Sequence, residues 1–411
     1  MMTTTHLNST VKCALLAGLL GGLGMRNSHA QFTFNSGSDG SYLSMNITTN
    51  TTLALPTNGV FNCTTITVAS NATLTFTPNA LNTPVYLLAQ GDVTINGTID
   101  VSGSAGTGLQ GGVGGPGGFG GGNPANAGLG AGDGNGPGAG RLGQDTGGAE
   151  NAGSGSYGTV GSHSGFPVSM GSTNLGATYG SPLLIPLIGG SGGGGTGGRG
   201  GSGGGGAILV ASSTRIDLSG VISAAGGTAG SYYYGQGLNV GSGGAVRLVA
   251  PAIGGAGMVN VLPGSVSILG YGGNYYDYGG AGRIRIDCLN RRNLALNASP
   301  SSVTSIGANM VSFLSPTPRL DITQAAGTTI PEGTNNSVFF MLPRNSNTNQ
   351  TVTVQARNFG RLVPIRVVLT PDSGSSSSYD TNIDNTVSPA SVTVPVVVPV
   401  NVQVQVNAWT R

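Results

Sequence analysis

Three stretches decide the fold: Gly206-Ala207-Ile208-Leu209-Val210-Ala211, Gly244-Ala245-Val246-Arg247-Leu248-Val249 and Gly280-Ala281-Gly282-Arg283-Ile284-Arg285-Ile286. Each follows a glycine run with a short segment of Val, Ile, Leu and Ala, which suits a pleated, half-buried strand. They recur about 36 to 38 residues apart, a period that marks stacked supersecondary units. A second echo joins Gly97-Thr98-Ile99-Asp100-Val101-Ser102-Gly103 to Gly220-Val221-Ile222-Ser223-Ala224-Ala225-Gly226, with the same distance between their outer glycines. The segments on either side of the long glycine insert thus read as successive copies of one unit.

Units that cannot bury a face alone stack on their neighbours. The alternation in Arg215-Ile216-Asp217-Leu218 and Arg285-Ile286-Asp287 sets aliphatics inward and charges outward. The expected fold is therefore all-β: a right-handed parallel β-helix, or solenoid, with about five coils between Thr64 and Asn297. Four parts follow from the composition along the chain. Residues 1–30 read as a signal peptide, and 31–315 as the β-helix with its Gly-rich insert at about 103–206. Residues 316–411 read as an immunoglobulin-like β-sandwich, because glycine thins out there and longer strand candidates recur between turn signals such as Pro371-Asp372-Ser373-Gly374.

The insert is roughly two fifths glycine, against average usage near 7%. Glycine loses more conformational freedom on ordering than any other residue. The insert accordingly reads as a flexible loop between coils, with extended polyglycine-like strands as the alternative. A phosphate cradle is excluded, since no Gly-x-x-x-x-Gly-Lys-Ser/Thr run occurs.

The opening residues have the parts of a Sec-type leader. Lys12 supplies the positive charge, Cys13 to Leu23 a short apolar run, and Ser28-His29-Ala30 the small residues of a cleavage site. The expected location is outside the cell, secreted or at a bacterial cell surface, with the mature chain starting near Gln31. Of 16 basic residues, Lys12 and Arg26 leave with the leader, so 14 remain against 14 acidic ones. A neutral mature chain has no electrostatic footprint for nucleic acid or an anionic membrane. No later segment reads as a transmembrane helix; Val392 to Val400 is broken by Pro395 and Pro399.

Chemistry is sparse. His163 is the only histidine after residue 30 and sits in a flexible polar stretch, so no catalytic relay, no metal site and no cofactor is expected. Glu150 and Glu332 lie in unrelated regions, and each Asp of the repeats stands beside an Arg rather than another carboxylate. Glycoside hydrolysis requires paired carboxylates, so the Arg–Asp pairs read as a surface ion-pair ladder. Threonine strands such as Thr65-Ile66-Thr67 hint at an ice-binding array, which Arg at comparable later positions breaks.

Tyr232, Tyr233, Tyr234, Tyr271, Tyr275, Tyr276 and Tyr278 are the candidate ligand-binding residues. They fall in the loops that end successive repeats and would gather along one edge of a solenoid. There they could stack on sugar faces or a partner surface; the plainer reading is that they cover the glycine loops. Trp409 reads as a packing anchor. Cys63 and Cys288 belong to the first and last coils, roughly 15–20 Å apart at about 4.8 Å per coil, and are expected to be free thiols.

The strings Gly91-Asp92-Val93-Thr94-Ile95-Asn96-Gly97-Thr98-Ile99-Asp100 and Gly243-Gly244-Ala245-Val246-Arg247-Leu248-Val249-Ala250-Pro251 resemble coils of glycine-rich bacterial surface proteins. They are also similar to rungs of haemagglutinin-type secreted adhesins. The resemblance covers about residues 60–297; it implies a right-handed β-helix at the cell exterior and brings no catalytic residues. The expected function is that of a secreted structural or adhesive protein, not an enzyme, whose partners are surface polysaccharide or other cell-surface proteins. The alternative is a carbohydrate-binding or polysaccharide-degrading β-helix protein.

Overall fold

A computed structural model describes residues 33–125, 130–143, 152–162, 174–229, 232–233, 239–270, 273–313, 318–332 and 338–410. The expected leader at 1–30 and His163 lie outside them. Before the insert come β1 (Leu43–Ile47), β2 (Thr51–Ala54), β3 (Val60–Val68), β4 (Thr73–Thr77), β5 (Val85–Ala89), β6 (Val93–Ile95) and β7 (Thr98–Asp100). After it come β8 (Ala207–Ser212), β9 (Arg215–Leu218), β10 (Val221–Ser223), β11 (Tyr232–Tyr233), β12 (Ala245–Gly254) and β13 (Met258–Asn260). Next are β14 (Ser265–Gly270), β15 (Gly273–Tyr278), β16 (Arg283–Asn290), β17 (Asn297–Ser299) and β18 (Thr304–Gly307). The C-terminal part holds β19 (Arg319–Ala325), β20 (Thr328–Thr329), β21 (Val338–Met341) and β22 (Asn349–Arg357). It ends with β23 (Leu362–Pro371), β24 (Ser377–Asp384), β25 (Ala390–Val397) and β26 (Gln403–Thr410). The chain is all-β, with no α-helix among the described residues.

The repeat copies lie side by side and in register. Ala207 pairs with Ala245 and Ala245 with Arg283; Ile99 pairs with Ile222 across the insert. Nine strands make the larger sheet, all parallel, in the order β18-β16-β12-β8-β5-β3-β6-β9 with β1 beside β3. A second parallel sheet runs β17-β13-β10-β7-β4-β2. Inward Ile66, Leu74, Leu87, Ile99, Ile216 and Ile222 share one core between the two sheets.

The expected architecture, a right-handed parallel β-helix followed by an immunoglobulin-like sandwich, is corrected here. A further pairing, β12 with β9, closes β3, β5, β8, β12, β9 and β6 into a ring of six parallel strands. The remaining sheets are separate hydrogen-bonded units. The cause lies in two long strands that run past breaks in their neighbours. Val60–Cys63 of β3 pair with β5 while Ile66–Val68 pair with β6. In the same way Ala245–Val249 of β12 pair with β8 while Ala252–Gly254 pair with β9. Repeat spacing marks where strands fall; it does not say that one strand serves two partners.

The C-terminal residues form two four-stranded antiparallel sheets, β20-β19-β22-β25 and β21-β26-β23-β24. Strict alternation drives them: Val352, Val354 and Ala356 of β22 face Val363, Ile365 and Val367 of β23 in one core.

The described part of the insert is not a flexible loop. Gly200, Gly203 and Gly206 donate their N–H groups to Thr107, Ser104 and Val101; Gly201, Gly204 and Ala207 donate to Gly122, Phe119 and Pro116. Ser202 and Gly205 donate to Asn239 and Ser242, and all eight bonds measure 2.7–2.9 Å. The same neighbour is met every third residue. Three residues per turn, with no bonds inside the strand, is the extended polyproline II helix. Such a strand sends its donors out in three directions, and here each direction finds another strand. At Gly200, Gly201, Gly203, Gly204 and Gly205 a Cβ would lie closer than 3.0 Å to backbone atoms next door, so no larger residue fits. Each backbone bond contributes about 0.5–1.5 kcal/mol, which offsets the high ordering entropy of glycine.

Candidate functional site

This glycine bundle changes the surroundings of the larger sheet. Strand β8 is buried at all six positions, as is most of β12, because the sheet is covered on both faces. One face carries the core described above; the other packs Leu209, Ala211, Ala245 and Val249 against Tyr157, Leu184 and Leu187 of the insert.

Charged side chains on that covered face cannot stay in water. Arg247 and Arg285 occupy paired positions on β12 and β16, and both reach Asp287. The carboxylate accepts from Arg285 Nε at 3.0 Å and Nη2 at 2.6 Å, from Asn309 N at 2.8 Å and from Arg247 Nη2 at 3.2 Å. Asp287 is fully buried and the Arg247 side chain is 1% exposed. Burial pulls the Arg247 pKa down from its usual value, and the charge of Asp287 opposes that shift. The surface ion-pair ladder is thus half right: Arg215 and Asp217 pair in the open, while Arg285 and Asp287 pair inside the protein. The run Ala207-Ile208-Leu209-Val210-Ala211, apolar without alternation, is the sequence signal of a strand buried on both faces.

Arg283 lies on β16, two residues before Arg285. It donates to the Tyr179 carbonyl from Nε at 3.2 Å and Nη2 at 3.0 Å, and stands over the Tyr157 ring at 5.6 Å. The Tyr157 and Tyr179 rings are 4.6 Å apart, and their hydroxyls donate to Ile188 O and Gly189 O at 2.8 and 2.6 Å. Burial pushes both phenols far above their usual range, so they remain neutral donors.

A cleft of about 1380 Å³ runs between the glycine strands and the C-terminal sheets. Its walls include the ring pairs Phe119–Trp409, edge to face at 5.8 Å, and Tyr86–Phe313, tilted at 4.9 Å. Trp409 therefore packs as an anchor and also borders open space. Burial pushes the Tyr86 phenol up to about 12 against the pull of nearby Arg247. Arg247 Nε, Ser312 Oγ and Asn407 Nδ2 are buried without a hydrogen-bond partner, and all three residues line this cleft. An orphaned buried polar group costs about 1–3 kcal/mol, and these three come from separate parts of the fold, β12, the segment after β18 and β26.

Asp133 joins the insert to the C-terminal sheets. Its fully buried carboxylate accepts from Arg141 Nη1 at 2.8 Å, Leu142 N at 2.7 Å, Ser376 N at 2.8 Å and Ser376 Oγ at 2.9 Å.

The tyrosine candidates are placed by backbone rather than by stacked loops. Tyr232 and Tyr233 form β11, and Tyr275, Tyr276 and Tyr278 lie in β15, with β14 between them in a three-stranded sheet. Tyr232 and Tyr275 both pair with Ile268, so the two clusters share one row two strands apart. Tyr278 is exposed, and Tyr234 and Tyr271 lie outside the described residues. Cys63 and Cys288 are free and buried. Four ladder steps separate their strands, about 19 Å at about 4.8 Å each.

No protein family, curated protein or solved structure matches the chain. No helix among the described residues is long and apolar enough to cross a membrane.

Proposed function

We propose that this is a secreted extracellular protein with a structural or adhesive role and no catalytic activity of its own. The glycine bundle carries the reading. Its strands are fixed by backbone bonds to neighbours in three directions, and at glycines such as Gly200, Gly201, Gly203, Gly204 and Gly205 an added Cβ would overlap a neighbour's backbone. Such a body is suited to holding shape and presenting surfaces rather than to bond-making chemistry. The leader motif of residues 12–30 supports export, and the resemblance of residues 60–297 to surface-protein coils points the same way. Surface polysaccharide or other cell-surface proteins are the partners that fit this role.

The test is expression of the full chain with a C-terminal tag in a Sec-competent bacterium. The expected product begins at Gln31, is labelled by antibody on intact cells or recovered from the medium, and makes coated beads adhere to cells or cell-wall material. Full-length protein retained in the cytoplasm would overturn the reading.

A further inference from the structure

The two parallel sheets end together. At one end their last strands are β1 and β2, at the other β18 and β17, and among the described residues none of the four has a strand on its outer edge. Each pair is consecutive in the chain, one strand in each sheet. An unpaired edge is a template for another strand, and proteins commonly blunt it with charge or proline. Leu43–Ile47, Thr51–Ala54, Asn297–Ser299 and Thr304–Gly307 contain neither.

The core rows also run out at these ends. Phe61, Leu87, Val210, Leu248, Ile286 and Ile306 pair in series across the larger sheet. The first five are at most 2% exposed, but Ile306 is 48% exposed. At the opposite end the Phe61 ring meets Tyr42 edge to face at 5.2 Å, and Tyr42 is 43% exposed. In the second sheet Leu74, Ile99, Ile222 and Val259 are fully buried, while Ala298, next in line, is only partly so. Charge differs between the two ends. Residues 288–318 hold Arg291 and Arg292 and no acid, whereas residues 31–140 hold four Asp and no Lys or Arg. Arg291 donates to Gly307 O at 2.8 Å. Gly307 closes the row headed by Asn62, whose carbonyl accepts from Tyr42 N at 2.7 Å. Exposed Asp39 lies three residues before Tyr42.

We propose that the chain assembles head to tail with copies of itself, β18 and β17 of one molecule pairing with β1 and β2 of the next. All four end strands run parallel to their present neighbours, so a translated copy continues both sheets at once. In that register Ile306 packs against Tyr42, and Arg291 comes to the segment that carries Asp39. A contact between unlike ends that does not close on itself generates a filament. A twofold contact of two β18 ends would instead set Arg291 and Arg292 against their own counterparts, and opposed like charges are unfavourable. The inference goes beyond the structural or adhesive role and stands on the two ends alone.

The purified mature chain, from Gln31, is expected to sediment as a series of species that lengthens with concentration between about 1 and 100 μM, the range in which micromolar contacts populate. Electron micrographs are expected to show unbranched filaments. Tyr42→Glu and Ile306→Glu each place a charge in the contact by changing a half-exposed side chain, and each is expected to weaken association about tenfold or more. Mixed in equal amounts, the two variants are expected to give a dimer and nothing longer, because each keeps one working end. Asp39→Arg, at an exposed site, is expected to weaken association about threefold or more and decides the matter if either variant fails to fold. A parent that stays monomeric, a dimer that grows no further, a mixture no more associated than its components, or unaltered assembly by Asp39→Arg would each overturn the proposal. Filaments of a protein that never leaves the cytoplasm would sink the export reading alone. Adhesion by an exported but strictly monomeric chain would sink this proposal alone.

Discussion

The glycine bundle and the C-terminal sheets solve the same problem with opposite means. Strands β22 and β23 are specified by what their side chains fill: Val352, Val354, Val363, Ile365 and Val367 alternate into a core shared by two sheets. The strand at 200–207 is specified by what its residues lack. Its neighbours approach until a Cβ would overlap their carbonyls, and every third amide finds the same partner. Side-chain packing grades its responses, because a smaller or larger group leaves room for neighbours to adjust. Backbone packing has no such latitude, so it should fail abruptly.

The largest effect expected from this contrast is at Gly201, whose added side chain would meet Gly193 and Gly194 backbone. Gly201→Val should cost more than about 5 kcal/mol, read as loss of soluble, cooperatively unfolding protein. A variant that unfolds like the parent in guanidinium would break the comparison. Asp287→Ala comes next. It strands Arg247 and Arg285 in a covered position, and removing one partner from a buried ion cluster costs about 3–5 kcal/mol. A shift in the denaturation midpoint that small surface pairs could explain would show that water reaches the cluster. In the C-terminal core, Ile365→Val should cost only about 0.5–1.5 kcal/mol, measured by the same unfolding curve. Gly360→Ala should have the smallest effect, within about 0.5 kcal/mol. A Cβ there meets nothing within 4 Å, and any gain would come from a less flexible unfolded chain. Equal costs at Gly201 and Gly360 would erase the distinction between the two regions.

How much of this could be read from the sequence follows the same divide. The strands at Ala207, Ala245 and Arg283 and the echo of Ile99 in Ile222 were legible, because aliphatic residues announce themselves by spacing. So were the alternating strands at Thr351–Ala356 and Val363–Thr370. The bundle was legible only as the alternative reading, extended polyglycine-like strands, because a row of glycines has no hydropathy period and its period of three resides in the hydrogen-bond partners. With the bundle unseen, the outer face of β12 and β16 read as solvent. Arg285 and Asp287 then read as a surface pair, although Arg247 sits at the matching position one strand away. The six-strand ring was hidden for another reason, namely that β12 continues through Pro251 while its neighbour breaks between Ser212 and Arg215. The cleft depends on residues as distant in sequence as Phe119 and Trp409, which no local pattern joins.

The threefold outward bonding of the glycine strands also has a mechanical consequence. Tension along the segment 200–207 would load its eight amide bonds to three flanking segments together, in shear, instead of opening them one after another. Resistance to forced unfolding is set by the rate of escape over a barrier rather than by equilibrium stability. A body bonded in this way could yield late under a pulling load even if its total stability were ordinary.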